Sequence, residues 1–435
     1  MSDSQHQFVA HILRRTSFSV SRDKINALIA LDREQIISKL VDNAVPSNFS
    51  IKPILKNRED KSYPDFQVLL KTELQRLSKP KSGLADRMLW FWHGLITTSF
   101  EKVDFPGLIW RQHKLMAKHA LGSFREMLIE ISTDPAMLIY LDGEDSNSAD
   151  PNENYARELL ELFSMGRGTY TQVDVAAVAK ALSGWYLDGI PGNPKRQYNP
   201  SKVKARYSAE DGLQHPVTFL GHTEVFNVPM LIEHILQQES TALFIVERLF
   251  KHFVHEQPSQ TVLLELAAIF RDADYQIRPV LMALFRHPEF TSSLALSGRA
   301  RLPMEWLLAL LSSTGIPITK LDYEGYLDAA GQMPFIPANV AGWPVGSRWL
   351  SAAAAMARHS VCISLLEVSH RQSIIKKLAL NSYPLDEILS RLTLSVVSEQ
   401  TRNQLQAAIQ QMPNRYDQAR LLLALALASP EFALT

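Results

Sequence analysis

Apolar side chains recur three and four positions apart through most of this chain, and runs that alternate apolar with polar residues are scarce. A period of 3.6 residues lines one face of an α-helix, so the pattern commits the chain to helix packed on helix and leaves little for a sheet. Residues 22–41, 65–77, 84–96, 107–120, 151–165, 240–255, 303–313 and 351–366 carry it most clearly. The expected fold class is therefore all-α, a multi-helix, bundle-like architecture in two packed lobes. Residues 187–220 interrupt the period with Gly, Pro, Asn, Lys and Tyr, and read as a long irregular insertion, a connector or a short hairpin. The 435 residues exceed what one hydrophobic core usually supports. The expected division is an N-terminal helical lobe over 1–186, the connector 187–220, and a C-terminal helical lobe over 221–435.

Charge narrows the range of partners. Lys plus Arg and Asp plus Glu each total 45, and the two signs are interspersed. Such a balance argues against duplex DNA or an anionic membrane as a partner, so no nucleic acid is expected. The single cysteine, Cys362, rules out an internal disulfide and a thiolate metal cluster. No segment supplies the ~20 consecutive apolar residues that a membrane-crossing helix needs, so no membrane insertion is expected. Arg14-Arg15-Thr16-Ser17-Phe18 superficially resembles a twin-arginine export signal, yet Val20 to Lys24 is charged where such a signal is apolar. It reads as a helix end, and the default location for a chain without a signal is the cytoplasm.

The most informative stretch is Asp150-Pro151-Asn152-Glu153-Asn154-Tyr155-Ala156-Arg157-Glu158. Asp150 suits an N-cap, Pro151 the first helical position, and Glu153 the third, where a capping-box carboxylate belongs. Beyond that start, Tyr155, Leu159, Leu162 and Phe163 share one face, while Glu153, Asn154, Arg157, Glu158 and Glu161 fill the opposite arc. Glu153 to Arg157 and Arg157 to Glu161 have the spacing of a salt-bridge ladder on an ordinary surface helix. If the arc faces a cleft instead, its paired carboxylates suit acid and base work. Asp134, Asp142, Glu144 and Asp145 add carboxylates nearby, without the alternating oxygen spacing of a calcium loop, so no metal site is assigned and any cofactor stays unknown.

Histidines and tryptophans supply the other candidates. His93 closes Trp90-Phe91-Trp92-His93, and His113 and His119 follow on the next helix, outside any zinc motif. Residues 331–344 form a loop dense in Pro, Gly and aromatic residues, where Trp343 and Trp349 offer flat surfaces to a sugar, with Asn339 and Arg348 as polar partners. The same loop composition also suits a plug against the helical body. Neither a phosphate-cradling glycine loop nor a G-x-S-x-G elbow is present, which weakens common nucleotide enzymes and α/β-hydrolases.

Taken together, these residues resemble the bacterial family catalogued as domain of unknown function 1800. The likeness runs from His11-Ile12-Leu13-Arg14-Arg15 and Phe91-Trp92-His93 through Asp134-Pro135-Ala136-Met137 and, most specifically, Pro151-Asn152-Glu153-Asn154-Tyr155-Ala156-Arg157-Glu158. It continues to Gly331-Gln332, Gly342-Trp343 and Pro430-Glu431-Phe432. The resemblance implies an envelope or extracellular-polymer context and a sulfatase-like protein as partner, although this chain shows no apparent export signal. It implies no reaction, so whether the chain is an enzyme stays open.

The functional expectation is a polar cleft that binds a polar ligand or polymer, with hydrolysis or transfer on a glycan or anionic polymer as the reaction class. Glu153, Glu158 and His93 are the candidate catalytic residues; Asn154, Arg157, His119, Asn339, Trp343 and Arg348 are the candidate ligand-binding residues. The competing expectation is a non-catalytic helical scaffold or partner for a sulfatase-like protein, in which the polar arc locks lobes together.

Overall fold

The computed structural model describes residues 3–45, 49, 52–144, 146–190, 195–296, 298–369, 371–394 and 397–435. Helices dominate it, as the periodicity requires, and the fold is all-α in class. Among the described residues the sheets are two antiparallel hairpins, Trp185–Asp188 with Lys204–Tyr207 and Val217–Phe219 with His222–Glu224. Both fall in or beside the region that lacks a helical period. In the second, Leu220 and Gly221 lie at φ 46° and 80°, the pair of positive values that a two-residue hairpin turn demands.

Helix ends follow local capping chemistry. Asp32 and Gln35 form a reciprocal box at the helix Arg33–Val41, and Ser123, Ser259 and Ser351 cap the helices that follow them. The core is aromatic at its centre. Trp92 is fully buried, stacks on Phe124 with centroids 5.5 Å apart, and donates its indole N–H to the Ala120 carbonyl at 3.0 Å. Cys362 is buried too, which pushes its thiol up to about 12.

Elements from both sides of residues 187–220 pack together into one continuous apolar cluster. The Phe124 N–H reaches the Tyr275 carbonyl and the Ile277 N–H reaches Gly122. The helix Arg33–Val41 lies against Ile277–Arg286, whose Arg278 caps the carbonyl end of its neighbour through Val41 and Ala44. The helix Asp3–Thr16 is tied to the far half of the chain by the His11 side chain to Phe290 O, Arg15 to Ala295 O and Arg14 to Thr393 O. No helix among the described residues is long and apolar enough to cross a membrane.

Candidate functional site

The polar helix begins two residues later than its spacing suggests. Asn152, not Asp150, is the N-cap, and Glu153 is the first helical residue. The amide explains why. Asn152 Oδ1 accepts the Tyr155 N–H at 3.0 Å, while Nδ2 donates to the carbonyls of Leu141 and Asp142, both at 2.7 Å. A carboxylate in that place could accept but not donate. Asp142 is left-handed, with φ 55°, so the amide also ties down a strained turn. Asp150 lies outside the helix, its own N–H on Asn147 Oδ1, and the capping box drawn from Asp150 to Glu153 does not form.

Downstream, the α-helical turn Glu153–Glu158 passes into a π-helix over Leu159–Ser164. The wider turn buries both Leu159 and Leu160 with Phe163 and leaves Leu162 partly exposed, which differs from the face drawn at 100° per residue. Tyr155 anchors the inner face, donating its phenol O–H to Ser132 O at 2.6 Å.

On the outer arc most charges are satisfied. Glu153 accepts from Gln172 at 2.6 Å, Arg157 donates to the same Gln172 at 3.0 Å, and Arg157 lies 3.7 Å from Glu153. The second rung drawn from Arg157 to Glu161 is absent, because Glu161 pairs with Arg167 and meets the Tyr170 hydroxyl at 3.5 Å. Asn154 is exposed. Glu158 is the exception: half-buried, its carboxylate makes no hydrogen bond or salt bridge among the described residues. Burial first, and then the neighbouring charge of Glu161, raise its pKa against the pull of Arg157 and Arg167. Tyr140 lies close enough that the Glu158 charge adds to burial in raising its phenol, which also bonds Thr97. The Thr97 hydroxyl in turn donates to Val340 O at 2.6 Å, so Glu158 stands over a joint with the aromatic loop.

His93 and Trp343 belong to the interior. The His93 ring, 1 % exposed, is enclosed by Trp90, His113, Phe335 and Trp343 at centroid distances of 5.1 to 5.8 Å. Burial and the nearby His113 push its pKa down to about 3. The loop reaches this depth through Gly342, whose φ of 86° and close approach to the Gly94 carbonyl leave no room for a Cβ. Phe335 is also left-handed, φ 66°, and fully buried. Beneath the rings lies an ion network that residue spacing did not reveal. Glu73 accepts from Trp90 Nε1 at 3.0 Å, from His113 Nε2 at 3.0 Å and from Arg76 at 2.7 Å, and Arg76 continues to Asp86. Burial alone would raise Glu73, yet Arg76 and His113 hold it well below the usual carboxylate range.

Of the remaining candidates, His119 is turned towards Glu130 and Glu126, at 3.1 and 3.6 Å, away from the ring cluster. Asn339 is exposed and folds back on the Ala341 N–H at 2.9 Å, one residue from the Thr97 contact. Arg348 is exposed, and Trp349 is buried with its N–H on Pro344 O. The structure thus brings Glu153, Asn154, Arg157 and Glu158 to one surface and His93 with Trp343 to the core behind it, linked through Tyr140 and Thr97. Among the nearby acids, Asp134 is buried as the cap of the helix Pro135–Tyr140 and is pushed up to about 6 by burial. Asp142 pairs with Lys102, and Asp145 lies outside the described residues. No group of three or more His, Cys, Asp or Glu side chains among the described residues could hold a metal ion.

A family model described as "Protein of unknown function (DUF1800)" matches residues 11–434. No curated protein and no solved structure gives a significant match.

Proposed function

Since the chain belongs to the DUF1800 family across nearly its whole length, and that family's description carries no activity, we propose from the site alone that this protein binds a polar ligand or polymer at the surface around Glu158. One observation carries the reading: in a helix whose other charged groups are paired, Glu158 is half-buried with no hydrogen-bond partner among the described residues. A carboxylate drawn out of water without a donor costs stability, and a ligand hydroxyl or amine would supply that donor. Tyr170, partly exposed, lies beside it and offers an aromatic ring face, which suits a glycan. If chemistry follows binding, the raised pKa fits Glu158 as the proton donor of a hydrolysis or transfer step. His93 lacks that capacity, being enclosed and neutral, and Glu153 is held by Gln172.

The alternative is a non-catalytic scaffold, with a sulfatase-like protein as its partner. It is favoured by Asn152 and Tyr155, whose side chains are spent on holding the loop and the Ser132 carbonyl. Titration of a panel of neutral and acidic oligosaccharides against the wild-type chain and Glu158→Gln tests the choice. The binding reading expects saturable binding that weakens at least tenfold in the variant while the fold is kept. Equal binding by both proteins, or none by either, overturns it.

A further inference from the structure

Arg14 and Arg15 end the helix Asp3–Thr16, Arg87 lies on Leu84–Leu95, and Arg299 and Arg301 precede Pro303–Thr314. All five guanidinium groups converge. Arg15, Arg87, Arg299 and Arg301 are 0, 2, 5 and 6 % exposed. Among the described residues only one carboxylate meets them: Glu305 takes Arg87 at 2.6 Å and Arg299 at 2.6 Å. Among the described residues Arg14, Arg15 and Arg301 make no ion pair. Phe18 lies under Arg87 and Phe432 under Arg301, at 4.7 and 4.4 Å, which offsets part of the burden of burying them.

The donor count exceeds the acceptor count. Arg14 Nε, Arg15 Nε and Nη1, Arg87 Nη2, Arg299 Nε and Arg301 Nη1 are buried without a hydrogen-bond partner among the described residues. Native interiors rarely leave such groups unpaired, least of all charged ones. Arg14, Arg87 and Arg301 also border one cavity of about 20 Å³, with Glu305, Ser17, Ser313 and Thr393 in its wall. Those three hydroxyls already donate to backbone carbonyls, so the unused donors at the cavity are those of the arginines and the Thr435 hydroxyl, which also lines it. The volume suits one or two water-sized spheres. A tetrahedral oxyanion would need the side chains to part.

We propose that this cavity binds one compact inorganic anion of chloride size, held by the guanidinium groups of Arg14, Arg87 and Arg301. The ligand is an anion because the excess groups are all donors, cationic but for the Thr435 hydroxyl, and the one acidic side chain in the wall, Glu305, is already engaged twice. Held there, it joins three segments far apart in the sequence: the end of the first helix, the helix Leu84–Leu95 and the lead into Pro303–Thr314.

The full chain, exchanged into gluconate, would be unfolded by heat while gluconate is replaced by chloride or bromide at constant ionic strength. A saturable rise in midpoint is expected, the folded-to-unfolded ratio growing about a hundredfold at a hundred times the dissociation constant. Arg301→Met, which breaks no ion pair, should weaken the halide effect at least tenfold. Because that variant can fail to fold, a crystal of the unaltered protein soaked in bromide gives a second readout, an anomalous peak between Arg14, Arg87 and Arg301. No peak in the cavity, a halide effect that never saturates, or stabilisation by sulfate and phosphate alone would overturn the proposal.

Discussion

Burial separates two residues that side-chain type alone makes equivalent. Glu158 and His93 are both acid–base candidates by chemistry, yet one stands half in water and the other among four aromatic side chains. Because Glu158 has a raised pKa in the fold, its ionisation costs stability above that value and the cost fades as pH falls towards the ordinary 4.5. Glu158→Gln should therefore stabilise the protein near neutral pH, by less than about 1 kcal/mol given its exposure, and the gain should vanish in acid. A denaturant series at pH 7 and pH 4 checks this; a loss of stability at pH 7 would show that the carboxylate has a partner. His93, held near 3, should show no imidazole titration between pH 5 and pH 8 by NMR, where an exposed histidine would titrate near 6.5. The motif singled out Glu158 as a candidate, but its lack of a partner among the described residues was not legible there. That depends on Arg167 and Tyr170 drawing Glu161 away, and on Gln172 occupying Glu153 and Arg157.

The polar helix owes its position to a single amide. The Asn-Glu-Asn motif pointed to the right element and the wrong cap, because Asp150-Pro151 fits the usual start signal while Asn152 serves both the helix and the loop behind it. Asn152→Asp keeps the acceptor for Tyr155, and so the cap, but loses both donations and should release the Leu141–Asp142 turn; Asn152→Ala loses both roles and should cost about 2 kcal/mol. Hydrogen exchange at Gly143 and Tyr155, whose amides lie on either side of the clamp, would report it, and full protection in the aspartate variant would contradict the role of Nδ2. The aromatic loop has a comparable dependence on Gly342. Gly342→Ala forces a Cβ into the Gly94 carbonyl in a left-handed backbone, and should cost about 1–3 kcal/mol with a shift in tryptophan fluorescence. Helical periodicity revealed the elements and the aperiodic hairpin region, since both follow from local side-chain spacing. The π-helical turn and the buried Glu73 and Glu305 networks were not legible, because each depends on partners supplied by other helices.

Across the molecule, His11 and His93 are buried and His252 partly so, and all three are kept below the ordinary histidine range, chiefly by desolvation. A histidine with a lowered pKa in the fold stabilises fully above the unfolded value of 6.5, and that contribution is lost as pH falls below it. Glu73, held below the carboxylate range, adds a second loss below 4.5. Stability measured against pH should thus decline in two stages, beginning near 6.5; a flat profile from 7 down to 5 would contradict the buried neutral histidines. The ties of the first helix to Phe290, Ala295 and Thr393 bear on how the chain is made. On a ribosome Phe8, Val9, Ile12 and Leu13 emerge hundreds of residues before those partners exist. Contacts of such separation close late and slowly. The first helix must therefore wait for the partners of its final fold until residue 393 has been synthesised.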